Sequence, residues 1–372
     1  MKKSFENEYE YLVLTELKDL FIEEIKDSNV NFEKVKIIGC QHLLEGQLIM
    51  IKNFIELGFL PVNIYILGKI YSTSDSIVKE LAESGVNVLQ PKYNLYVSFD
   101  LQHKTNCEEL LNKVDLRSDD RLVVLDDGGQ FIEIVNSKKL SNIITAVEQT
   151  SSGFRRLENV TLDFPVYNVA RSPIKLQDES PLIANHAYQR IKLYIDTSIS
   201  NPNVLVVGLG PIGVEILKCI KNDNKNVIGY DKNDGEKNIV NLIKDNNINV
   251  VIGATGAEII SHLQIIELSN TVNYEVHLVS VSSSDREFEV WKLRDLFEPD
   301  NEPHSDISYK NIKILNNGFP ISFKGNRVEL PHNQIEKTIC LLFAAAIAGL
   351  IYKIEGAGLV DLPDKINDII KK

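Results

Sequence analysis

The stretch that decides the fold covers residues 203–218 and reads NVLVVGLGPIGVEILK, and residues 226–231 follow with NVIGYD. The apolar run at 204–207 is typical of a strand that is buried on both faces of a parallel sheet. It leads directly into a glycine-rich turn and then into apolar residues at helical spacing. The stretch therefore predicts a strand, a tight turn and a helix in succession.

The three glycines of this turn have separate expected roles. Gly208 permits the tight turn, Gly210 lets the backbone approach a pyrophosphate, and Gly213 lets the helix pack closely on the strand. A pyrophosphate would then lie at the helix N-terminus, where free N–H groups and the helix dipole favour an anion. Pro211 and Ile212 begin the helix and belong to the same predicted cofactor site.

Asp231 ends the next predicted strand. A carboxylate at this position can accept hydrogen bonds from both hydroxyls of an adenosine ribose, whereas it would repel a 2′-phosphate. The sequence therefore predicts that NAD is bound in preference to NADP.

Length and composition limit the class of protein. A chain of 372 residues exceeds one comfortable hydrophobic core, so two domains are expected. Hydrophobic and charged contents of 44% and 25% are those of an ordinary globular protein. A net charge of −12 argues against a nucleic-acid or anionic-membrane partner, because either would require a basic face.

The sequence shows no recognisable membrane-spanning, secretory or metal-binding segment. There is no apolar run of membrane-spanning length and no recognisable secretory signal, so we expect a cytoplasmic protein without membrane contact. The histidines lack the spacing of a metal motif, and no metal is predicted. The cysteines are widely spaced and are expected to be reduced, buried thiols. They are Cys40, Cys107, Cys219 and Cys340.

Strand and helix patterns alternate along the chain. Predicted strands cover residues 35–39, 62–67, 86–89, 121–125, 143–147, 164–170, 204–207, 226–231, 250–256 and 276–281. Predicted helices cover residues 5–27, 44–57, 75–84, 184–196 and 334–351. Such alternation predicts an α/β fold with two doubly wound parallel-sheet domains, of which the second is a Rossmann NAD-binding domain.

The domain boundaries follow from the same pattern. Residues 1–185 with about 340–372 are expected to form the substrate or catalytic domain, and 186–339 the Rossmann domain. The final long helix would cross back to the first domain. The sequence Asn-Asn-Gly at 316–318 also predicts a hairpin between strands at 312–315 and 320–323.

Polar residues follow several predicted strands of the first domain. His42, Asp127 and the segment that begins at Glu148 each follow a strand, and Lys175 lies a few residues past another. In doubly wound sheets, the chemistry collects at the carboxyl ends of strands. The sequence therefore predicts an active-site cleft at this edge.

Six blocks of the sequence resemble the S-adenosylhomocysteine hydrolase family. They are GCQH at 39–42, YSTSD at 71–75, LDDGG at 125–129, EQTSSG at 148–153, NVARSPIK at 168–175 and GLGPIG at 208–213. Their order and approximate spacing are those of the family, over residues from about 35 to 345. The chain is shorter than that family's members, and the Lys-and-Tyr tail by which a family subunit closes its neighbour's cofactor site is not found.

The resemblance implies permanently held NAD and a reversible oxidation. The ribose 3′-hydroxyl is oxidised, the C4′ proton is abstracted, homocysteine leaves from C5′, water adds, and the ketone is reduced again. A ketone lowers the pKa of the adjacent C–H bond enough for a protein base to act on it.

The resemblance also implies site residues in this chain. His42 would handle protons near C5′ with Asp127 beside it, and Lys175 would lie next to the 3′-hydroxyl. The catalytic positions implied are His42, Asp127, Glu148, Gln149, Lys175 and Glu179. Further cofactor positions implied, beside the glycine turn and Asp231, are Thr255, Gly256 and Ser283.

Several family residues are replaced, most of them around the adenosine pocket. The replacements are Gln149 for a glutamate, Glu179 for an aspartate, Ser180 and Ala170 for asparagines, Leu43 and Leu44 for threonines, Ala184 for a cysteine, and Ser283 for a histidine. We therefore expect a related reaction on another nucleoside-like substrate rather than standard adenosylhomocysteine hydrolysis.

Simpler interpretations remain open for single residues. His42 could cap a helix, one of Asp126 and Asp127 could be only structural or solvated, Glu148 could be structural, and Lys175 could be a surface lysine.

Two other functions also remain open. One is an NAD-linked dehydrogenase of the 2-hydroxyacid type, for which the chain offers Arg286 and Glu287 but no adjacent histidine. The other is a non-catalytic NAD- or nucleoside-binding regulator. In each case the expected assembly is a homodimer or tetramer.

Overall fold

The computed structural model describes residues 11–28, 30–94, 96–235, 237–297, 302–352, 354 and 356–371. The strands before residue 200 are β1 Val35–Leu43, β2 Ile64–Thr73, β3 Asn87–Leu89, β4 Arg121–Asp126, β5 Ile143–Glu148 and β6 Pro165–Asn168. The helices there are α1 Leu12–Ser28, α2 Glu45–Glu56, α3 Asp75–Glu83, α4 Phe99–Lys113, α5 Gln130–Ser137, α6 Ser151–Leu157 and α7 Ser180–Ser198.

The second half of the chain repeats the alternation. Its strands are β7 Asn203–Val207, β8 Asn226–Tyr230, β9 Val250–Gly253, β10 Val276–Ser280, β11 Ile307–Tyr309, β12 Ile312–Ile314 and β13 Gly358–Val360. Its helices are α8 Pro211–Asn222, α9 Ile239–Asp245, α10 His262–Thr271, α11 Arg294–Phe297, α12 His332–Ile351 and α13 Asp364–Ile370.

The first sheet has seven strands in the order β13-β6-β5-β4-β1-β2-β3, and every neighbouring pair is parallel. Side chains of β4 alternate between two apolar cores. Val123 and Leu125 pack in one core, and Leu122 and Val124 pack in the other. The sheet is therefore covered on both faces, which explains the uninterrupted apolar sequences of its central strands.

The second sheet has the order β11-β12-β10-β9-β7-β8 and is parallel except for β11. Leu205 of β7 packs on one face, and Val204 and Val206 pack on the other. The predicted α/β fold with two doubly wound parallel-sheet domains is confirmed, and the second sheet is Rossmann-like.

Two long helices connect the sheets. α7 packs Tyr188 and Ile191 in the same core as β7, on the second sheet. α12 returns to the first sheet with Phe343 in its core, as the sequence predicts. The predicted divisions at 185/186 and at about 340 fall inside these helices, so the domain boundaries remain a prediction.

The predicted hairpin around residues 316–318 is wrong. Asn316 and Asn317 adopt left-handed conformations within a short turn, and residues 320–323 form no strand. The antiparallel partner of β12 is instead β11, with Ile307 opposite Ile314. The Asn316 amide holds this turn by donating to the Pro320 carbonyl oxygen at 2.9 Å. The asparagines therefore serve a local turn instead of a two-strand connection.

Three smaller expectations change. The opening helix begins at Leu12, and the predicted residues 5–10 lie outside the described part of the chain. The cysteines are free, but Cys219 is only half-buried, so the expectation of four buried thiols is wrong for that residue. Among the described residues, no helix is both long and apolar enough to cross a bilayer.

Candidate functional site

A small cavity lies where the carboxyl ends of β2 and β4 face the loop that follows β10. Residues from both halves of the chain line it, among them Lys69, Tyr71, Asp127, Ser283, Ser284 and Arg286. A direct link joins the two halves beside it, because the Phe99 N–H donates to Asp285 Oδ1 at 3.2 Å. The cleft expected between the two sheets is therefore the place where their polar residues meet.

Asp127 is the centre of the polar cluster. It accepts hydrogen bonds from Lys69 Nζ at Oδ1 and from Gln149 Nε2 at Oδ2, and Oδ2 lies 3.0 Å from His42 Nε2. Burial alone would raise the pKa of Asp127, but His42 and Lys69 hold it well below its ordinary value. Burial would lower the pKa of Lys69, and the Asp127 carboxylate raises it instead. The pair is therefore charged.

His42 is fixed on several sides. Its Nδ1 is hydrogen-bonded to Ser72 Oγ, and its ring stacks on Phe323 with centroids 4.7 Å apart. Since Leu44 is the N-cap of α2, His42 does not cap that helix, and the helix-capping interpretation is wrong. The sequence predicts the meeting of His42 with Asp127, whereas Ser72 and Phe323 are additional partners.

Asp126 and Glu148 hold the loops around this cluster. Asp126 accepts from the backbone N–H groups of Asp127 and Ile132 at 2.7 and 2.9 Å. Burial raises the pKa of Asp126 to about 6. Glu148 accepts from the N–H groups of Gly129 and Thr150 at 2.8 and 2.7 Å. These contacts fix the loops after β4 and β5, and the predicted catalytic role of Glu148 remains a prediction.

Lys175 and Glu179 form a separate pair on the segment after β6. Lys175 Nζ lies 3.2 Å from Glu179 Oε2, which also accepts a hydrogen bond from Thr338 Oγ1. In the described part of the chain, no hydrogen bond or ion pair joins this pair to Asp127. The structure thus brings together His42, Asp127 and Gln149, holds Glu148 against the loop that follows Asp127, and pairs Lys175 with Glu179 without a direct contact to Asp127.

The glycine turn has the shape that a dinucleotide requires. Gly208 has a φ of +93°, which favours glycine, and a Cβ on Gly213 would overlap the Gly208 carbonyl oxygen. A Cβ on Gly210 would meet no atom within 4 Å, so the space above the turn is open. Pro211 and Ile212 follow at the start of α8. These features fit a pyrophosphate at the helix N-terminus.

Asp231 lies beside this turn at the end of β8. Its carboxylate accepts from the Leu209 and Asn233 N–H groups at 2.9 and 3.1 Å, and these bonds lower its pKa. A carboxylate can accept about four hydrogen bonds, so it retains capacity for ribose hydroxyls. The residues present therefore fit the adenosine side of NAD.

Thr255 and Gly256 follow β9 and are fixed by Glu287. Its Oε1 accepts from the Thr255 and Gly256 N–H groups at 2.7 and 3.1 Å, and its Oε2 accepts from Ser280 Oγ at 2.6 Å. This buried carboxylate therefore joins the turn after β9 to the loop after β10, which carries Ser283. Sequence reasoning considers Glu287 only for the dehydrogenase alternative.

Several site residues are absent from the sequence-based interpretation. Lys69 is buried within β2 and belongs to no motif, although a lysine near the end of a buried strand is itself an unusual signal. The sequence-based interpretation places Phe323 in a hairpin strand and therefore predicts no contact between Phe323 and His42. Both reach the cluster only through the tertiary fold.

Several buried polar atoms in this region have no hydrogen-bond partner among the residues that the structure describes. They include His103 Nε2, Gln149 Oε1, Ser284 Oγ and Arg286 Nε. Buried polar groups are almost always paired in folded proteins, so a group of unpaired atoms requires an explanation. A polar ligand in the cleft provides one.

Cys40, His103 and Cys107 form a buried group whose possible metal-binding atoms all lie within 4.8 Å of one another. The two sulfur atoms are 3.4 Å apart, and burial lowers the pKa of His103 to about 3. The sequence predicts no metal site, because spacing along the chain does not reveal donors that come from β1 and α4.

Comparison with curated proteins gives partial similarities. The chain is 30% identical over 329 residues to the uncharacterized proteins Rv0104 and MT0113 of two Mycobacterium tuberculosis strains. The match covers 85% of this chain but only 64% of the length of those relatives. It is also 29% identical over 186 residues to adenosylhomocysteinase of Acinetobacter baylyi, covering 48% of this chain and 38% of that protein. No family model matches the chain.

Solved structures show more distant similarities. A dipicolinate synthase chain from Bacillus halodurans matches with a TM-score of 0.38 and 13% identity, covering 86% of this chain and 98% of that one. A 2-hydroxyacid dehydrogenase from Ketogulonicigenium vulgare matches with a TM-score of 0.29 and 13% identity, covering 58% of this chain and 71% of that one. Because these scores are low, the fold is assigned from the strand order of its own sheets. The chain thus combines a Rossmann-like two-sheet fold with weak sequence similarity to adenosylhomocysteinase.

Proposed function

We propose that the chain is an NAD-dependent enzyme that transiently oxidises a ribosyl hydroxyl of a nucleoside-like substrate and so permits elimination or hydrolysis. The substrate is not S-adenosylhomocysteine itself. One observation supports this most directly: a single cavity is lined by Asp127 of the first sheet and by Ser283, Ser284 and Arg286 after β10. Reaction and cofactor residues would therefore face each other across it.

The residues that would hold the cofactor lie on the second sheet. Gly208, Gly210 and Gly213 shape the turn for a pyrophosphate, Asp231 would bind the adenosine ribose, and Gly256 belongs to the turn after β9. When bound, NAD supplies a hydride acceptor for the hydroxyl-bearing carbon and returns the hydride at the end of the cycle.

The hydrogen-bond partners of His42 define what its ring can do. Asp127 Oδ2 can accept a hydrogen bond from Nε2–H, and Nδ1 is the acceptor side of the ring whenever it carries no proton. Ser72 Oγ is hydrogen-bonded to Nδ1 and would donate its proton there. Asp127 and Lys69 would therefore orient His42, while Nδ1 and Ser72 offer a path for a substrate proton.

Gln149 supports a substrate that differs from that of the resembled family. Its Nε2 donates to Asp127, and its Oε1 is buried without a partner. A neutral amide here provides a hydrogen-bond acceptor without the second negative charge of a glutamate. A hydroxyl of the substrate would satisfy that oxygen. Lys175 remains a proposed base by resemblance alone, because, unlike His42 and Gln149, it makes no contact with Asp127.

A second candidate function is a plain NAD-linked dehydrogenase of the 2-hydroxyacid type. The observation that favours it is Arg286 in the cavity wall, because a guanidinium can bind a substrate carboxylate with two hydrogen bonds. A dehydrogenase of this type would accumulate reduced cofactor in proportion to substrate, whereas transient oxidation would leave no net reduction after turnover.

The test begins with protein purified without added cofactor. One sample is denatured and the released nucleotide is identified, while a native sample is incubated with adenosine or adenosylhomocysteine and the absorbance of reduced nicotinamide is followed. We expect near-stoichiometric NAD and its reduction by adenosine. Protein without nucleotide, and no reduction after NAD is added, would contradict the proposal.

Two variants connect this assay to the site. Asp127→Asn should retain NAD but lose cofactor reduction or turnover, and Lys175→Met tests the base proposed by resemblance. Asp119→Asn is the matched control, since Asp119 is an exposed aspartate whose partner, Lys34, lies at the surface. Equal activity of Asp127→Asn and the wild-type protein would argue against the proposed site.

A further inference from the structure

An open pocket adjoins the cavity, and three arginines line it. Arg155 and Arg156 come from α6, and Arg286 comes from the loop after β10. We propose that this pocket is a phosphate-binding subsite. This inference rests on the proposed function for the statement that a nucleoside-like substrate occupies the neighbouring cavity.

Arg155 is the residue most available to a ligand. Its side chain is exposed, and its Nε donates to the Ser151 carbonyl oxygen at 3.3 Å. No ion pair joins it to an acidic residue in the described part of the chain. Its Nη2 would be 3.9 Å from a Cβ placed on Gly256, so the guanidinium reaches the turn on the opposite side of the cleft.

The other two arginines are held in place by acidic residues. Arg286 donates from Nη1 to the Gly256 carbonyl oxygen at 3.0 Å, and its Nη2 lies 2.8 Å from Asp100 Oδ1. Its Nε is buried and has no partner. Arg156 Nη1 lies 3.1 Å from Glu133 Oε2. These two pairs are electrically balanced, so the third arginine leaves the pocket with a net positive charge in a protein of charge −12.

The donor geometry of this pocket favours phosphate. Guanidinium groups present planar sets of N–H donors that match phosphate oxygens, and such charge-assisted bonds are stronger than neutral ones. Ser152 adds a hydroxyl at the same wall. Arg156, Arg286 and Ser152 line both the pocket and the cavity, so a phosphate here would be continuous with a ligand beside Asp127.

Two sources can supply this phosphate. One is a phosphorylated substrate, and the other is the cofactor, because the pocket also adjoins the glycine turn. A Cβ on Gly208 would lie 2.7 Å from Thr255 Cγ2, and Thr255 lines the pocket. The shared chemistry is a phosphate group bound by arginine, and the source is decided by experiment.

Calorimetric titration separates these sources without requiring turnover. Bound nucleotide is first removed, and adenosine, adenosine 5′-phosphate and NAD are then titrated into wild-type protein, Arg155→Met, Arg286→Lys and the control Arg117→Met. Arg117 is an exposed arginine that does not line the pocket. We expect wild-type protein to bind adenosine 5′-phosphate about 10- to 100-fold more tightly than adenosine. Arg155→Met should remove most of this difference, and Arg117→Met should retain it.

Each other outcome has a defined meaning. Suppose that Arg155→Met binds NAD more weakly but keeps the wild-type ratio of affinities for adenosine 5′-phosphate and adenosine. This result would support the subsite and identify the cofactor as the source of the phosphate. Unchanged affinities for all three ligands in both pocket variants would overturn the subsite. If wild-type protein binds neither adenosine nor adenosine 5′-phosphate, the proposed function fails. The NAD titrations of Arg155→Met and Arg286→Lys still decide whether the pocket binds phosphate.

Discussion

Replacing Gly210 with alanine should weaken NAD binding without weakening the fold. Gly210 has φ −69° and ψ −176°, which alanine adopts without strain, and an added Cβ would meet no atom within 4 Å. The change should therefore leave stability unchanged or raise it by roughly 0.4–1 kcal/mol through the unfolded state. The methyl group would stand where the pyrophosphate approaches the backbone. A lost hydrogen bond to a charged group costs about 1.5–3 kcal/mol, which corresponds to about 10- to 150-fold weaker binding.

The assay combines thermal unfolding with calorimetric titration of NAD, after removal of bound nucleotide, into wild-type protein, Gly210→Ala and Gly213→Ala. Gly213→Ala is the contrasting variant, because its Cβ would overlap the Gly208 carbonyl oxygen and force the helix away from the strand. We expect Gly213→Ala to lose both stability and binding, and Gly210→Ala to lose binding alone. Wild-type NAD affinity in a folded Gly210→Ala protein would refute the assignment of this turn to a pyrophosphate.

Three further changes test separate parts of the molecule. Asp127→Asn should destabilise the protein by about 3–5 kcal/mol at neutral pH, because it leaves the Lys69 charge buried without its partner. Chemical denaturation should show that the double variant with Lys69→Met recovers part of this stability. Additive losses of stability in the double variant would contradict the coupling between the two residues. Since the folded pKa of Asp127 lies below its ordinary value of 3.8, its contribution is present above that pH and is lost as pH falls through the folded pKa. The stability gap between wild-type protein and Asp127→Asn should therefore narrow in acid, and a gap that widens there would count against the charged pair. Asp231→Asn should raise the affinity for NADP relative to NAD by about tenfold or more in paired titrations, because it removes a like charge from beside the 2′-phosphate; an unchanged ratio would argue against the ribose contact. Gly349→Ala should lower the free energy of unfolding by about 1–3 kcal/mol, because its Cβ would overlap the Thr145 side chain, and unchanged denaturation would show that α12 is not packed closely on β5.

The alternation of apolar strands with helices was sufficient to predict the two parallel sheets. A strand buried on both faces must be apolar throughout, and residues 204–207 have that composition because they lie between two cores. The glycine turn could be predicted equally well, since Gly208 and Gly213 satisfy steric requirements that other residues cannot meet. Both features depend on local constraints, which determine the residue types found in the sequence.

The polar cluster around Asp127 could be predicted only in part. His42, near the end of β1, and Asp127, directly after β4, could be placed at one edge of the sheet, but the position of Lys69 followed only from the pairing of β2 with β1. Phe323 contacts His42 from the other half of the chain, and local sequence patterns cannot predict a contact between residues so far apart in sequence. The hairpin prediction at 316–318 failed because asparagine stabilises a left-handed turn as readily as a two-strand connection.

The arginine pocket shows the same limit of local reasoning. Arg155 belongs to a short helix after β5, and Arg286 follows β10. Neither residue is part of a spacing pattern that indicates phosphate binding. Only the docking of the two sheets brings them to one pocket, so the electrostatic character of that pocket follows from tertiary structure.

The central claim is that a bound cofactor oxidises the substrate only transiently, and solvent isotope exchange tests it most directly. NAD-loaded protein is incubated with adenosine or adenosine 5′-phosphate in deuterated water, and the recovered ligand is examined by mass spectrometry and NMR. Exchange of the hydrogen on the carbon beside the oxidised carbon requires a neighbouring ketone. The account predicts deuterium at that carbon, reduced nicotinamide that never exceeds the amount of bound cofactor, and loss of exchange in Asp127→Asn. Stoichiometric reduced cofactor without deuterium would support a plain dehydrogenase, and the absence of both would contradict transient oxidation of these nucleosides.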